Sequence, residues 1–244
     1  MSLPRQLALH AVLLAGALCL FELTDIDGAI QDRFYDRHAG RWVVDRKDPV
    51  GALVFYHGPK AVLIAFGSAC LAGWVLSYPV RRLAPRRALC ARMCLALGLV
   101  PLAVAGLKRL TNTPTPDQTS RYGGRVAYVK VLDRRPADFP AWGRLRGWPA
   151  GHASGGFALM MLYQVLATRR RKLLGLLAGL TVGWAMGVYQ MLKGVHFLSH
   201  TVVTMWLAWI IVLAVCWATR RMERGRAELS LRVAGGGDYD RQGG

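Results

Sequence analysis

Acidic residues are scarce in this chain: 14 Asp and Glu stand against 32 Lys and Arg, a formal net charge of +18. Such an imbalance suits an anionic partner, either nucleic acid or a membrane surface. Nucleic acid is disfavoured, because no basic stripe carries interleaved aromatics and most arginines sit just outside apolar runs. Cysteine is also sparse, and Cys19, Cys70, Cys90, Cys94 and Cys216 all lie in or beside apolar stretches. Cys90 and Cys94 share a helix face by spacing, yet no partner pair completes a metal site and no disulfide framework is visible. There is no H-E-x-x-H and no obvious internal repeat. The apolar run at residues 7–23 lacks a clear small-x-small cleavage site, which favours an uncleaved first helix over a signal peptide.

What the chain does have is apolar length. Hydrophobic residues make up 53% of it, and the mean hydropathy is +0.26. The runs near residues 7–23, 59–78, 88–107, 153–167, 173–192 and 201–218 predict six transmembrane helices, hence an all-α bundle. The fourth is short and starts in Gly and Ser. Arg81, Arg82, Arg86 and Arg87 follow the second run, Arg169, Arg170, Arg171 and Lys172 the fourth, and Arg220, Arg221, Arg224 and Arg226 the sixth. With six spans these clusters and Arg5 fall on one side, which the positive-inside rule makes cytoplasmic. The other side, periplasmic if the membrane is a bacterial inner membrane, receives residues 24–58 and the long loop 108–151 between helices 3 and 4. Loops of that length usually carry binding or chemistry. Residues 1–226 read as one integral membrane domain, and 227–244, ending in GGGDYDRQGG, as a flexible cytoplasmic tail.

Three segments on the outer side hold residues suited to chemistry. In WPAGHASGGF, residues 148–157, a loop ends at Pro149 and an apolar helix begins near Gly151 and His152. Unpaired backbone N–H groups at a helix start attract anions, and Gly151 allows close approach. Taken alone, the segment reads equally as ordinary punctuation at a helix start. In QMLKGVHFLSH, residues 190–200, His196 and His200 are four apart and share a helix face, with Lys193 one turn earlier. Ionisable groups at a membrane helix end are costly unless interfacial or functional. The pair lacks a third ligand in sequence reach, so metal binding ranks below phosphate chemistry. In KRLTNTPTP, residues 108–116, Lys108 offers a point charge for phosphate, or snorkels to the interface.

Taken in order, these three segments resemble the signature of the type 2 phosphatidic acid phosphatase superfamily: K-x(6)-R-P, P-S-G-H and S-R-x(5)-H-x(3)-D. Lys108 and Pro116 match the first part, Pro149, Gly151 and His152 the second, and His196 the third. The chain differs from the pattern at Thr115 (Arg in the family), Ala150 (Ser), Tyr189 and Gln190 (Ser-Arg) and His200 (Asp), and so resembles a divergent bacterial branch. The resemblance implies a membrane hydrolase of lipid phosphate monoesters or diphosphates, working through a phosphohistidine without metal or other cofactor. His196 would be the nucleophile, His152 the acid and base, and His200 the orienting group in place of the Asp. Lys108 and the backbone at Ala150 and Gly151 would hold the phosphate. Lys193, Arg109, Arg121 and Arg125 are candidates to replace the missing arginines. Lipid A, undecaprenyl diphosphate, phosphatidic acid and phosphatidylglycerol phosphate all fit as substrates. A lipid phosphotransferase, and a lipid-binding or scramblase-like protein that has lost the chemistry, stand as alternatives. A haloperoxidase is disfavoured, since those are soluble.

Overall fold

The structure, a computed structural model, describes residues 2–136, 139 and 145–236. It is mostly helical. The helices are α1 (Leu3–Leu23), α2 (Ile26–Gln31), α3 (Pro49–Ala52), α4 (Gly58–Leu76), α5 (Arg87–Leu110), α6 (Gly151–Ala158), α7 (Met161–Val165), α8 (Arg169–Leu192) and α9 (Leu198–Gly236). The described sheet is a single two-residue hairpin, β1 (Tyr35–Asp36) with β2 (Arg41–Trp42). The tail expected from Ala227 meets α9, which continues to Gly236; residues 237–244 lie outside the described residues.

Among the described residues, five helices are long and apolar enough to cross a membrane: Leu3–Leu23, Pro49–Leu76, Arg81–Leu110, Arg169–Leu192 and Leu198–Arg226. In the first two, 6% of the apolar window is buried within the protein. Val12, Val62, Ile64 and Val75 stand more than half exposed along them. A soluble fold does not leave such faces in water, so they are lipid-facing surfaces.

The expected fourth span differs from the other five. Instead of one helix over 153–167 the chain forms two short ones, α6 and α7, broken at Leu159 and Met160. The cause lies in residue type: α6 is GHASGGFA, rich in Gly, which makes a poor autonomous helix. Tertiary packing holds it in place. Gly175, Gly179, Gly183 and Gly187 recur every four residues on α8 and form one face, which is buried. A Cβ on Gly156 would sit 2.6 Å from the Gly183 nitrogen, and one on Gly179 would sit 2.6 Å from the Met160 nitrogen. Backbones thus meet backbones, the mode of helix association that small residues permit where water gives no hydrophobic drive. The pair α6–α7 runs the length of the bundle. Gly151 stands beside Lys108 at one end, and Arg220 donates to the Gln164 carbonyl at the other, 3.4 Å away.

That second end also gathers Ser2, Gln6, Arg221 and Arg224. There Arg87 donates to Ser77 Oγ at 3.0 Å, and Arg92 meets Glu223 at 2.6 Å, tying α4 to α5 and α5 to α9. The opposite end is covered by α2, the hairpin and the loop after α5. Arg121 pairs with Asp25 at 2.9 Å and with Asp32 at 2.7 Å, fixing that loop to α2.

The glycine face makes a stability prediction. Gly183→Leu should drive a side chain into Phe157 and cost about 1–3 kcal/mol, lowering the melting temperature in detergent by several degrees. Gly98→Ala, on α5 with open space around it, should leave melting unchanged or slightly raised. Equal melting of the Gly183 variant and the wild type would refute the close packing.

Candidate active site

Three elements converge at the covered end of the bundle. The first is the C-terminal turn of α5, which carries Lys108. The second is the N-terminus of α6, preceded by Ala150 with no side-chain cap. The third is the turn between α8 and α9. Gly194 adopts φ +69° there, a left-handed conformation natural to glycine, and the Trp42 ring packs where a Cβ would be. The turn is held further by Asp117, whose N–H donates to the Gly194 carbonyl at 3.0 Å.

The loop after α5 folds back to bring α6 into place. Thr111 Oγ1 donates to the Trp148 carbonyl at 2.7 Å, and the Gly147 N–H donates to the Thr113 carbonyl at 2.8 Å. Asn112 Oδ1 accepts from the Leu145 N–H at 2.5 Å. The Ala150 N–H then donates to the His200 carbonyl at 3.1 Å, joining the start of α6 to α9.

This folding lines up three imidazoles. His152 Nδ1 lies 3.0 Å from His196 Nε2, and His196 Nδ1 lies 3.3 Å from His200 Nδ1. His196 and His200 are each 1% exposed, while His152 is half-buried. The contacts constrain the protons, since each shared hydrogen needs a donor on one ring and a lone pair on the other. If His196 donates from Nδ1 to His200, its Nε2 is a lone pair and His152 donates to it. Burial, and then the neighbouring His200, His152 and Lys108, push the His196 pKa well below its ordinary value, so the ring is neutral at pH 7.

Lys108 leans over the start of α6. A Cβ at Gly151 would lie 3.6 Å from Lys108 Nζ and 3.5 Å from its Cε. The Tyr56 ring meets His152 edge-on with centroids 5.0 Å apart, and Lys60 Nζ sits 5.6 Å from the Tyr56 centroid. From this head, marked by Tyr56, Lys60, Lys108 and His152, a cavity of about 700 Å³ opens between α4, α5 and α6. It extends along α4 to Leu71, about 16 Å from Lys60 at 1.5 Å per residue. Its deeper wall is Gly67, Cys94, Leu97 and Pro101.

Of the residues singled out by sequence, His152, His196, His200, Lys108, Gly151 and Ala150 come together here. Lys193 ends α8 and packs over the Tyr189 ring at 4.8 Å, its pKa lowered by burial and then by Arg46. It borders the site without lining the cavity. Arg121 is not brought to the histidines, because Asp25 and Asp32 take its guanidinium. Arg125 is exposed on the loop and is not among the cavity residues. Sequence reasoning missed Lys60 and Tyr56. A lone Lys opening an apolar run reads as an interfacial anchor, and nothing local reveals that α4 packs beside α6. It also missed Asp27, a buried carboxylate on α2 whose Oδ1 accepts from the Ser199 N–H at 2.8 Å.

A family model described as PAP2 superfamily matches residues 89–224, more than half of the chain, and the chain belongs to that family. The matched stretch runs from α5 into α9 and contains all three histidines and Lys108. No curated protein and no solved structure matches the chain.

The buried neutral state of His196 predicts a pH dependence of stability. An unfolded histidine takes its proton near pH 6.5, roughly, while the folded ring resists it. Stability is therefore full above that pH and falls as the pH drops toward the folded value. Asp27, raised to about 6 by burial, acts in the opposite sense, losing its contribution as the pH rises from 3.8 through 6. Comparison with His196→Gln isolates the histidine. Melting in detergent between pH 7.5 and 5 should fall more steeply for wild type than for the variant, and identical slopes would contradict a buried neutral ring.

Proposed function

We propose, from membership of the PAP2 superfamily, that this chain is a membrane phosphatase that hydrolyses a lipid phosphate ester through a phosphohistidine on His196. Family membership carries phosphatase-type chemistry on phosphate esters, often of lipids. The observation that carries the finer reading is an apolar cavity beside two membrane helices that is lined by Lys108 and by His152, through which the imidazole row reaches it. A phosphoryl group at its head reaches Lys108, Lys60 and the free N–H groups of α6. An acyl or prenyl chain fits below, between α4 and α5.

The chemistry follows from the ring geometry. His196 Nε2 attacks phosphorus as the bond to the leaving oxygen breaks. That oxygen takes a proton from His152, whose imidazolium the bound phosphate dianion favours. Water then attacks the phosphohistidine and gives a proton to His152, and the N–P electron pair returns to Nε2. Lysines and backbone N–H groups face the equatorial oxygens, where charge is spread in phosphoryl transfer. In the resting geometry the 3.0 Å contact leaves no room for phosphorus between the two rings. Substrate therefore displaces His152 from His196 and turns it toward the leaving oxygen.

The topology reading accompanies this one. With α6–α7 as a sixth crossing, the N-terminus and the three arginine clusters share the cytoplasmic side, and the site faces outward, the periplasm for a bacterial inner membrane. A cysteine placed near Tyr128, at the exposed Ala127, should react with an impermeant reagent in intact spheroplasts, and one near Arg170 should not. The reverse pattern would sink this orientation.

Phosphate release by purified protein from a panel of phosphatidic acid, phosphatidylglycerol phosphate, undecaprenyl diphosphate and lipid A tests the activity. His196→Ala should abolish it. Lys108→Ala should weaken vanadate inhibition by about 10- to 150-fold, the equivalent of a charge-assisted contact of about 1.5–3 kcal/mol. Transfer of phosphate to a lipid acceptor in place of water would favour a phosphotransferase, and lipid binding without turnover a non-catalytic protein.

A further inference from the structure

The acid that PAP2 enzymes place four residues after the nucleophile is His200 here, and a neutral imidazole leaves the row without a fixed charge at that end. Asp27 shares a small cavity with it. This carboxylate is 4% exposed and comes from α2, outside the residues matched by the family. Its Oδ1 accepts from the N–H of Ser199, the residue before His200, and the Ser199 side chain also bonds to it. Asp27 and His200 line one small cavity of about 20 Å³, together with Thr113, Tyr128, Trp148 and Ser199. That is room for one water, and the walls offer it several polar partners. His200 turns Nδ1 toward His196, so Nε2 is its remaining ring atom for hydrogen bonding.

We propose that Asp27 is the positioning carboxylate of this site, acting through a water in the shared cavity on His200 Nε2–H. With its proton held at Nε2, His200 keeps Nδ1 as an acceptor. His196 must then donate from Nδ1, which leaves its Nε2 as the lone pair that attacks. The proposal rests on the reading of His196 as the nucleophile.

The charged and titratable surroundings fit the role. Around Asp27 stand Asp25 on the same segment, Glu22 at the end of α1, and Lys130 and Tyr128 on the loop after α5. Lys130 is engaged by the Glu22 and Thr24 carbonyls at 2.9 and 2.7 Å, so it does not cap the carboxylate. On the far side His200 faces His196 and the charge of Lys108, and the Gly147 backbone also lies beside both rings. Gly147 is thus the competing acceptor, and the experiment must separate it from Asp27.

Asp27→Asn keeps an oxygen for the Ser199 N–H and removes the charge. In the full-length protein in detergent, kcat should fall on the order of 10- to 100-fold, the range typical of removing an orienting partner, with KM within about twofold. In a His200→Asp background, which puts a carboxylate directly on His196, the same change should cost nothing. An unchanged kcat, or an equal loss in both backgrounds, overturns the proposal. The second readout does not need turnover. In protein carrying ¹⁵N-labelled histidine, His196 should be the Nδ1–H tautomer in wild type and lose that preference in Asp27→Asn. In wild type alone the preference should fade as Asp27 takes up its proton near pH 6. A wild-type tautomer indifferent to pH through this range assigns the orienting role to Gly147 and sinks the proposal, whether or not the variants fold or turn over. Full activity in His196→Ala would fail the reading of His196 as the nucleophile, and the tautomer result would still report on Asp27.

Discussion

The placement of the site depends on one close approach, backbone against backbone, between α6 and α8 at Gly156 and Gly183. The eight residues of α6 have little reason to be helical by themselves, and inside a bilayer no hydrophobic drive would hold them against a neighbour. Removing side chains from both partners lets dispersion contacts and backbone dipoles do so. Once α6 lies on α8, its first turn is fixed beside the residues that follow α8, and those residues are Gly194, His196 and the start of α9. The 3.0 Å contact of His152 with His196 follows from the packing register. Trp42 seated on Gly194 seals the turn from outside.

The electrostatics around this register are one-sided. Lys60 and Lys108 line the head of the cavity and Lys193 borders it, while Asp25, Asp32 and Asp117 of the outer segments are engaged elsewhere. Asp25 and Asp32 pair with Arg121, and Asp117 pairs with Arg46. Arg121, one of the residues expected to supply charge for phosphate, therefore has a structural task, which is to hold the loop after α5 against α2. Lysine gives a point charge without the planar fork of arginine. On the proposed reading, direction must then come from groups that are fixed, such as the N–H groups at the start of α6.

How much of this the sequence disclosed depended on whether the signal was local. His196 and His200 could be read because four residues separate them at a helix start, and His152 because Pro149 and Gly151 mark the turn into α6. The all-helical class and five of the spans followed from apolar length. The fourth expected span was harder. Its apolar stretch is real, but its break at Leu159 and Met160 reflects packing on α8. The glycines that decide that packing are spaced by four on a different segment. Lys60, Arg121 and Asp27 were opaque for a shared reason. Each takes its role from a partner far along the chain, Lys60 from α6, Arg121 from α2 and Asp27 from α9. The same lone charge in sequence is compatible with an anchor, an ion pair or a buried acid.

The row of histidines raises a further physical point. A single aspartate next to a nucleophilic histidine has one possible role, since it can accept a proton and cannot donate one. A row of neutral imidazoles has two proton orders, and one is the reverse of the other. In one order His196 Nε2 is a lone pair. In the other it carries hydrogen and cannot attack. The rings themselves scarcely distinguish the two, because each keeps the same number of hydrogen bonds. The order must be set from the ends. At the His152 end sit lysines and, on the proposed reading, the substrate phosphate, whose charge would draw protons toward it. At the His200 end the nearby fixed group of opposite sign is a carboxylate drawn from α2. On the proposed reading, a histidine in place of the family's aspartate moves the orienting charge outward by one ring, to an element that lies outside the matched family segment.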